Sequence, residues 1–582
     1  MKRDIIFKKA MVVMATFAMG AMITACSDWD DHYDAGSAVS GSATSTIWQN
    51  IESNNNLSQF AALVKKAGYD AVLNTTQTYT VWAPLNGTFD YEALSSLGND
   101  KLVKEFVQNH IARSNFPATG TLNERIFMLN EKVIDFEGAG SYTIGGIEVA
   151  QPNVSSLNGV IHTTNGKVDF LSNIFESLEP GEFAIDSISN YFHAYDVLRL
   201  SESKSIQGPV VNGQITYLDS VFDDYNYLTE NLYATHISRE DSNYTMIVPT
   251  NTAWNKAMAA IAPYYNYVDS FTFIETPSTT TSQQNPVPVK IDAAQLRDSV
   301  THFMLARGLF YNNNLYDNGK IQQLKDGQSL VVDSLVTTGY DVLFSEDAAN
   351  LFRGTTHLKK SNGDFFVTGD SLYTHPWLFW NPLIKVEAEL SQYQASSQNG
   401  TLTSTFISSG RQNPDVPGVV SNRGYVDVQP ATNVSNPIVT FYLPNVRSTT
   451  YRIYGVFVPA NITNTYITEV KPHLVEVGIG YNNADGSVPR RPDVLGSNFS
   501  NDPTKVDTVY FGEFTFPIAY FGTGNYYPYL RVTSRLTSGN RDNYDNHLRI
   551  DCLLLVPKEL DEYVKEHPDY KYQSDAFSSL FF

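Results

Sequence analysis

Cysteine is almost missing from this chain, with only Cys26 and Cys552 among 582 residues. Cys26 stands near the amino terminus and Cys552 inside an apolar run at 548–556, so no disulfide framework is expected. Cores must hold the fold, which a chain of this length is able to supply. Cys552 itself reads as a buried, inert thiol. Long apolar runs are lacking too. The stretch from Ala10 to Ile23 falls short of the roughly 20 residues that span a bilayer, and no later segment reads as a transmembrane helix. Positive charge is scarce: 40 Lys and Arg stand against 61 Asp and Glu, a formal net charge of −21. Without a basic run, nucleic acid and anionic lipid are excluded as partners. Catalytic signatures are missing as well. The chain has no His-Glu-x-x-His, Gly-x-Ser-x-Gly, Walker loop or Cys-x-x-Cys. Gly522-Thr523-Gly524 lacks the third glycine and the helix of a dinucleotide turn. The 11 histidines are scattered, and none of the many carboxylates is singled out as a hydrolytic pair. Asp223-Asp224 reads as a surface-loop run. An enzyme is not expected.

What is present begins with a repeat. Tyr79-Thr80-Val81-Trp82-Ala83-Pro84-Leu85-Asn86 recurs as Tyr244-Thr245-Met246-Ile247-Val248-Pro249-Thr250-Asn251, which implies two copies of one folding unit. In each, a buried apolar strand runs into a proline that has no N–H for a ladder. The asparagine two residues on is expected to cap the helix that follows. Phe89 or Trp254 should then drop from that helix into the core. Downstream of the first copy, Leu102, Val103, Phe106, Val107 and Ile111 have helical spacing. Asn158-Gly159 reads as a turn feeding a terminal strand that carries His162. The second copy places His302 where the first has His110, and keeps Asn362-Gly363 without a histidine after it. The recurrence of His110 and His302 favours a structural role over a metal site. Residues Pro277 to Pro288 read as a loop insertion in the second copy. These motifs resemble the fasciclin domain, a resemblance that implies an adhesion and binding module of α+β fold.

The amino terminus carries an address. Lys2, Arg3, Lys8 and Lys9 precede the short apolar run, the layout of a signal peptide over 1–25. Its end, Ile23-Thr24-Ala25-Cys26, resembles a bacterial lipobox, which implies lipidation of Cys26; the alternative is an ordinary cleaved signal with a chance cysteine. Asp28, Asp30 and Asp31 then form an acidic cluster, similar to the export signal of surface lipoproteins in glycan-degrading Gram-negative bacteria. Residues 26–43 read as an acidic and flexible tether. The expected location is the outer membrane, lipid-anchored and facing outward.

From about Lys385 short alternating strands separated by Asn, Gly, Pro and Ser turns replace helical patterns, as in Tyr529-Leu530-Arg531-Val532-Thr533. Val386-Glu387-Ala388-Glu389 opens the region, and an Asp-bearing apolar strand ending at Pro557 closes it. This order resembles the jelly-roll of carbohydrate-binding modules related to the galactose-binding fold. The resemblance implies a structural calcium held by Glu387, Glu389 and Asp551, hard oxygen ligands on the two terminal strands. The alternative is that all three are solvent-facing polar positions of edge strands. Sugar contacts are implied for loop aromatics and amides: Tyr544, Asn543 and Asn546 before the last strand, and Tyr425, with Tyr526 and Tyr527 as further aromatics. The alternative is that these are turn and core residues.

The expected architecture is therefore multidomain. Two fasciclin-like α+β domains, 44–180 and 181–384, are followed by an all-β antiparallel sandwich (jelly-roll) over 385–582. The family resemblances imply a non-catalytic surface lipoprotein that binds glycan as an accessory to a TonB-dependent nutrient-uptake system, with companion surface lipoproteins as partners. The alternatives are a structural or adhesion protein whose fasciclin domains contact other proteins, and a hydrolase with an unrecognised site.

Overall fold

A computed structural model describes residues 43–572 apart from 180, 201, 203–205, 212, 220–221, 278–283, 317, 324–332 and 524–526. The signal segment, Cys26, the acidic cluster, Gly524, Tyr526 and the centre of the 277–288 insertion lie outside the described residues, as do the side chains of Asp223 and Asp224. Two compact units emerge. The first comprises the chain up to Ser177 with 237–243 and 359–363; the second holds the remainder.

The first unit is built on strand β1 (Tyr79–Pro84), buried along its whole length. Its odd-numbered side chains, Tyr79, Val81 and Ala83, face a cluster with helices α1 (Ile47–Ser53) and α2 (Ser58–Lys66). Trp82 points the other way, into a second core with Ala112, Phe136 and Ile144. Burial on both faces explains why Val81-Trp82-Ala83 is apolar throughout and does not alternate. The remaining strands are β2 (Ile111–Arg113), β3 (Thr121–Phe127), β4 (Val133–Ala139), β5 (Ser141–Ile144), β6 (Ile147–Ser156) and β7 (Gly159–Thr164). The seven-stranded sheet runs β2-β1-β7-β6-β5-β4-β3, with β1 parallel to β7. The segment beyond β3 returns to β2, where Met128 bridges Ala112. The helical stretch Leu102–Val107 buries Leu102, Phe106 and Val107 as its spacing predicts. Ile111, expected on the same helix, instead opens β2, because one tight turn at Gln108–His110 ends the helix first.

The asparagines of the repeat act differently from expectation. The Oδ1 of Asn86 accepts the Gln59 N–H at 2.9 Å, so it caps α2, which precedes it in the chain. The helix after it, Tyr91–Ser96, is capped by Asp90. The second copy repeats this arrangement: Asn251 accepts the Ser187 N–H at 2.8 Å, while Thr250 caps helix α3 (Asn251–Ile261). In both copies the asparagine staples an earlier helix to the end of the central strand. Trp254 is buried in the first turn of α3 as expected, whereas Phe89 stands one residue before the Asp90 cap and is partly buried against the core.

β8 (Tyr244–Val248), β9 (Phe310–Asn312), β10 (Thr356–Lys360) and β11 (Gly363–Val367) form a sheet in the order β9-β8-β11-β10, all of it in the second unit except Lys359, Lys360 and Gly363. Residues 270–291 are a correction to the loop reading. Strands Ser270–Pro277 and Gln284–Ile291 pair antiparallel across the insertion. Helix α4 (Ala293–Arg307) carries His302.

The rest of the unit consists of two antiparallel sheets. One contains β12 (Ile384–Glu387), β14 (Gly400–Phe406), β15 (Gly424–Pro430), β17 (Thr450–Phe457), β20 (Asp507–Thr515) and β22 (Leu548–Pro557). The other is ordered β13 (Gln394–Gln398), β16 (Ile438–Tyr442), β21 (Tyr529–Ser534), β18 (Leu474–Gly480), β19 (Asp493–Ser500). Alternate residues from both sheets, among them Val426, Ile453, Leu553, Phe441, Val477 and Val532, share one core. Helix α5 (Lys558–Glu566) follows β22 directly and is tied to the first sheet by the Arg452–Asp561 ion pair.

Candidate functional site

The opening and closing strands of the terminal region meet. β12 pairs antiparallel with β22, placing Glu387 opposite Cys552, and the Ala388 N–H donates to the Asp551 carbonyl. Side-chain donor atoms of Glu387, Asp551 and Cys552 lie within 4.8 Å of one another. Glu389 is buried beside them but does not join that group; its Oε1 accepts from the Asn422 amide at 2.8 Å. The solvent-facing alternative is overturned: Asp551 is fully buried and Glu389 is 3 % exposed.

A short turn closes over these carboxylates. The Ser421 N–H donates to Asp551 Oδ2 at 3.0 Å, and its hydroxyl donates to Glu387 Oε1 at 2.7 Å. Asn422 and Arg423 hold left-handed backbone, with φ of 48° and 55°, a strain that persists only where surroundings enforce it. At Gly424 a Cβ would come within 2.5 Å of the Glu389 side chain, so glycine is what lets that carboxylate pass. Lys385 supplies the local positive charge, 2.9 Å from Glu387 and in contact with the Ser421 hydroxyl.

One ammonium does not satisfy three carboxylates. Glu387 Oε2, Glu389 Oε2 and Asp551 Oδ1 are buried without a hydrogen-bond partner. Burial pushes the Asp551 and Glu389 carboxyls up, and the neighbouring acids add to the shift. Burial acts against the Lys385 charge, but the Glu387 and Asp551 carboxylates outweigh it and raise its pKa. The Cys552 thiol is pushed well above its usual range, again chiefly by burial, so it stays protonated. Three orphaned carboxylate oxygens beside a neutral thiol fit a hard, oxygen-seeking divalent cation such as calcium better than a thiophilic one. The structure thus brings Glu387 and Asp551 together and sets Glu389 alongside. The sequence reading missed Lys385, Ser421, Asn422 and the proximity of Cys552. Only the position of Cys552 directly after Asp551 was a legible signal.

The residues proposed to contact sugar separate. Tyr425 is only 5 % exposed and packs among Ile407, Val416, Val420, Val458 and Ile462. Its inward position on β15 removes the ring from any ligand, which corrects the expectation. In the loop before β22, Asn543 is exposed while Tyr544 and Asn546 are half-buried. That loop is pinned by charge: Asp545 accepts from Arg549 at 2.6 Å, and Asp427 meets His547 at 2.8 Å and Arg549 at 3.3 Å. Burial raises the Asp427 pKa, but His547 and Arg549 outweigh it and hold the carboxyl low.

A different aromatic surface lies on the outer face of the β16-β21-β18 sheet. Phe441, Leu530, Val532, Val477 and Ile479 face the core, so Tyr442, Tyr529 and Arg531 face outward, all half-buried. Tyr442 pairs with Tyr529, and Tyr529 with Gly480. A Cβ at Gly480 would lie 2.2 Å from the Tyr529 ring, so the ring lies across the glycine. Tyr527 meets Tyr529 edge-on at 5.4 Å. The period-2 alternation of 529–533 carried this signal, since its outward set is Tyr, Arg and Thr.

The repeated histidines are structural. His110 donates from Nδ1 to the Phe106 carbonyl at 2.7 Å and accepts the Val168 N–H at 2.9 Å. His162 accepts from the Asn153 N–H and donates to the Phe116 carbonyl, stacked on Trp82 at 5.6 Å. His302 stacks on Tyr191 at 5.2 Å. Among the described residues no helix is long and apolar enough to cross a membrane.

Residues 55–166 match the family model of the fasciclin domain. The chain is 27 % identical over 126 residues to transforming growth factor-beta-induced protein ig-h3 of Sus scrofa, a match covering 21 % of this chain and 18 % of that protein. The chain thus spans less than a fifth of that relative's length. Among solved structures, a FAS1 domain pair from the insect cell adhesion molecule fasciclin I is 12 % identical at a TM-score of 0.19, covering 56 % of this chain and 98 % of the pair. A xylan-binding domain from CBM 22 is 10 % identical at a TM-score of 0.18, covering 30 % of this chain and 93 % of that domain. At such scores neither structure bears on the fold. The fasciclin match thus lies wholly within the first unit.

Proposed function

We propose that this chain is a non-catalytic adhesion protein of the cell surface whose terminal, jelly-roll-like region binds glycan. The observation that carries the reading is the Tyr442–Tyr529 pair on adjacent strands, half-exposed and flattened against Gly480. A tyrosine ring offers an apolar face to a sugar ring while its hydroxyl stays wet, so little desolvation opposes contact. Asn543, Tyr544 and Asn546 form a second, smaller candidate surface on a loop held rigid by Asp427 and Arg549. Calcium is the cation proposed for Glu387, Asp551 and Glu389, where it would clamp the first strand of the region to the last. In this reading lipid on Cys26 anchors the protein to the outer membrane, facing outward, as an accessory to a TonB-dependent uptake system and companion lipoproteins.

Calorimetry of the full chain against plant, host and microbial polysaccharides tests the glycan reading. Binding should be lost in Tyr529→Ala and retained in Phe127→Ser, which alters an exposed position on the first unit's sheet. The second reading is adhesion to a protein through the fasciclin domain, favoured by the family match over 55–166. Capture of a partner protein with no response to any polysaccharide would put that reading first.

A further inference from the structure

We infer that the outer face of the β16-β21-β18 sheet selects anionic sugars, those bearing a carboxylate or sulfate. The inference rests on the glycan reading and adds the charge class of the ligand. Arg531 sits two residues along β21 from Tyr529, on the same face, opposite Gly478 on one side and Thr440 on the other. Two residues along a strand is about 7 Å, so a sugar stacked on Tyr529 presents its acidic substituent, or that of its neighbour, to the guanidinium. Glycine at 478 places no side chain beside Arg531 on the β18 side. There Pro492 comes within 3.5 Å of where a Cβ at Gly478 would be, which brings the β18–β19 connection to the rim of the face. That connection carries Arg490 and Arg491, both exposed. No ion pair involves Arg490, Arg491 or Arg531 among the described residues.

Arg531 on this aromatic face, with Arg490 and Arg491 on the adjoining connection, stands out in a chain of net charge −21. The acids nearest in the ladder are engaged elsewhere. Glu476, further along β18, meets Arg535 at 3.6 Å, and Asp493 accepts from the Tyr481 hydroxyl at 2.8 Å. Arginine suits the task because its planar fork matches the two oxygens of a carboxylate or sulfate, and its weak hydration lowers the cost of contact beside aromatic rings. The surrounding negative charge repels polyanions from the rest of the surface and so focuses them here.

Binding of the full chain to polygalacturonate, dextran sulfate and a neutral arabinoxylan, measured at low and high salt, tests the assignment. Both or either of the anionic polymers should bind at least about tenfold more tightly than the neutral one, and salt should erase the difference. Which of the two binds identifies the acidic group. Arg531→Gln should cost about tenfold or more on the anionic polymer. The exposed double variant Arg490→Gln/Arg491→Gln should cost several-fold with an unchanged melting temperature, which guards against misfolding of the single variant. Tyr529→Ala should abolish binding even at low salt, since simple polyanion attraction would survive it. Equal affinity for neutral and anionic polymers, insensitive to these arginines, overturns the charge assignment and leaves the glycan reading standing. Binding of none of the three overturns both.

Discussion

At the scale of single residues, Asn158 and Gly159 carry an unusual share of the first unit. The buried Asn158 side chain accepts the Ile47 N–H at 2.8 Å and donates to the carbonyls of Leu73 and Thr75 at 2.9 and 2.8 Å. Gly159 stands at φ +137°, where a Cβ would lie 1.8 Å from the Tyr79 carbonyl oxygen. Asn362 repeats the pattern, accepting from Ile174 and donating to Ile237 and Arg239. Asn158→Ala should therefore cost at least about 2 kcal/mol, because the Ile47 N–H and the Thr75 carbonyl lose their partner and the Leu73 carbonyl keeps only the long Trp48 N–H contact. Gly159→Ala should cost more, by forcing β1 and β7 apart. Hydrogen exchange of the 79–83 amides in the full chain reads both, and undiminished protection in either variant would refute this role. The buried histidines predict a pH dependence. Burial pushes His110 and His162 down to about 4, from an ordinary value of 6.5. Both are neutral in the fold, so below pH 6.5 the unfolded chain takes up protons that the folded one does not. Stability should fall progressively from about pH 6.5 to pH 4, by several kcal/mol in total, and these two groups add no further loss below that. Exchange at pH 7, 5.5 and 4.5 measures it; a first unit equally protected throughout would contradict the assignment.

At the scale of elements, what was legible in the sequence follows from which interactions are local. β1 announced itself through the apolar run Val81-Trp82-Ala83, and the alternation of 529–533 placed Leu530 and Val532 inward, because strand burial is written in nearest neighbours. Asn86 was misplaced for the opposite reason. Its partner, Gln59, precedes it by a helix, and nothing in the sequence near Asn86 distinguishes capping the next helix from capping the last. Tyr425 failed similarly: its neighbours Val416 and Ile462 come from distant loops, so its inward position was invisible. The acids at 387, 389 and 551 were found only through family resemblance, while the lysine among them was passed over. That lysine makes the cation proposal sharply testable. If calcium is the missing partner, millimolar calcium should raise the melting temperature over EDTA by several degrees, since a ligand at about 100 Kd contributes roughly 2.7 kcal/mol. Magnesium should do less, because it demands tighter octahedral geometry. Asp551→Asn should erase the calcium shift without lowering stability in EDTA, as it removes a buried charge whose burial is unfavourable. A wild-type melting temperature identical in calcium and EDTA would assign the whole counter-charge to Lys385.

At the scale of the whole molecule, the proposed sites make sense only if many copies share one surface. A single tyrosine platform with an arginine beside it gives an affinity near millimolar, about −4 kcal/mol, too weak to retain a soluble protein on a polymer. Display changes this. A polysaccharide contacting several anchored copies converts later contacts into intramolecular ones, and avidity then exceeds the single-site affinity by orders of magnitude. The anchor proposed at Cys26 supplies the display, because acyl chains contribute about 0.8 kcal/mol per buried methylene and two or more chains hold firmly where one does not. Cys26→Ala should therefore separate two quantities that anchoring alone connects. The purified variant should bind polygalacturonate in solution with unchanged affinity, since residue 26 is far in sequence from 442–531. Cells expressing it should lose the protein from the membrane fraction, fail to incorporate a palmitate analogue and no longer adhere to immobilised polymer. Retention of the variant in the outer membrane removes the lipid anchor from the account. Release of the variant with adhesion of the cells undiminished would instead show that capture does not depend on this chain, and the proposed link between a weak site and a crowded surface would fall.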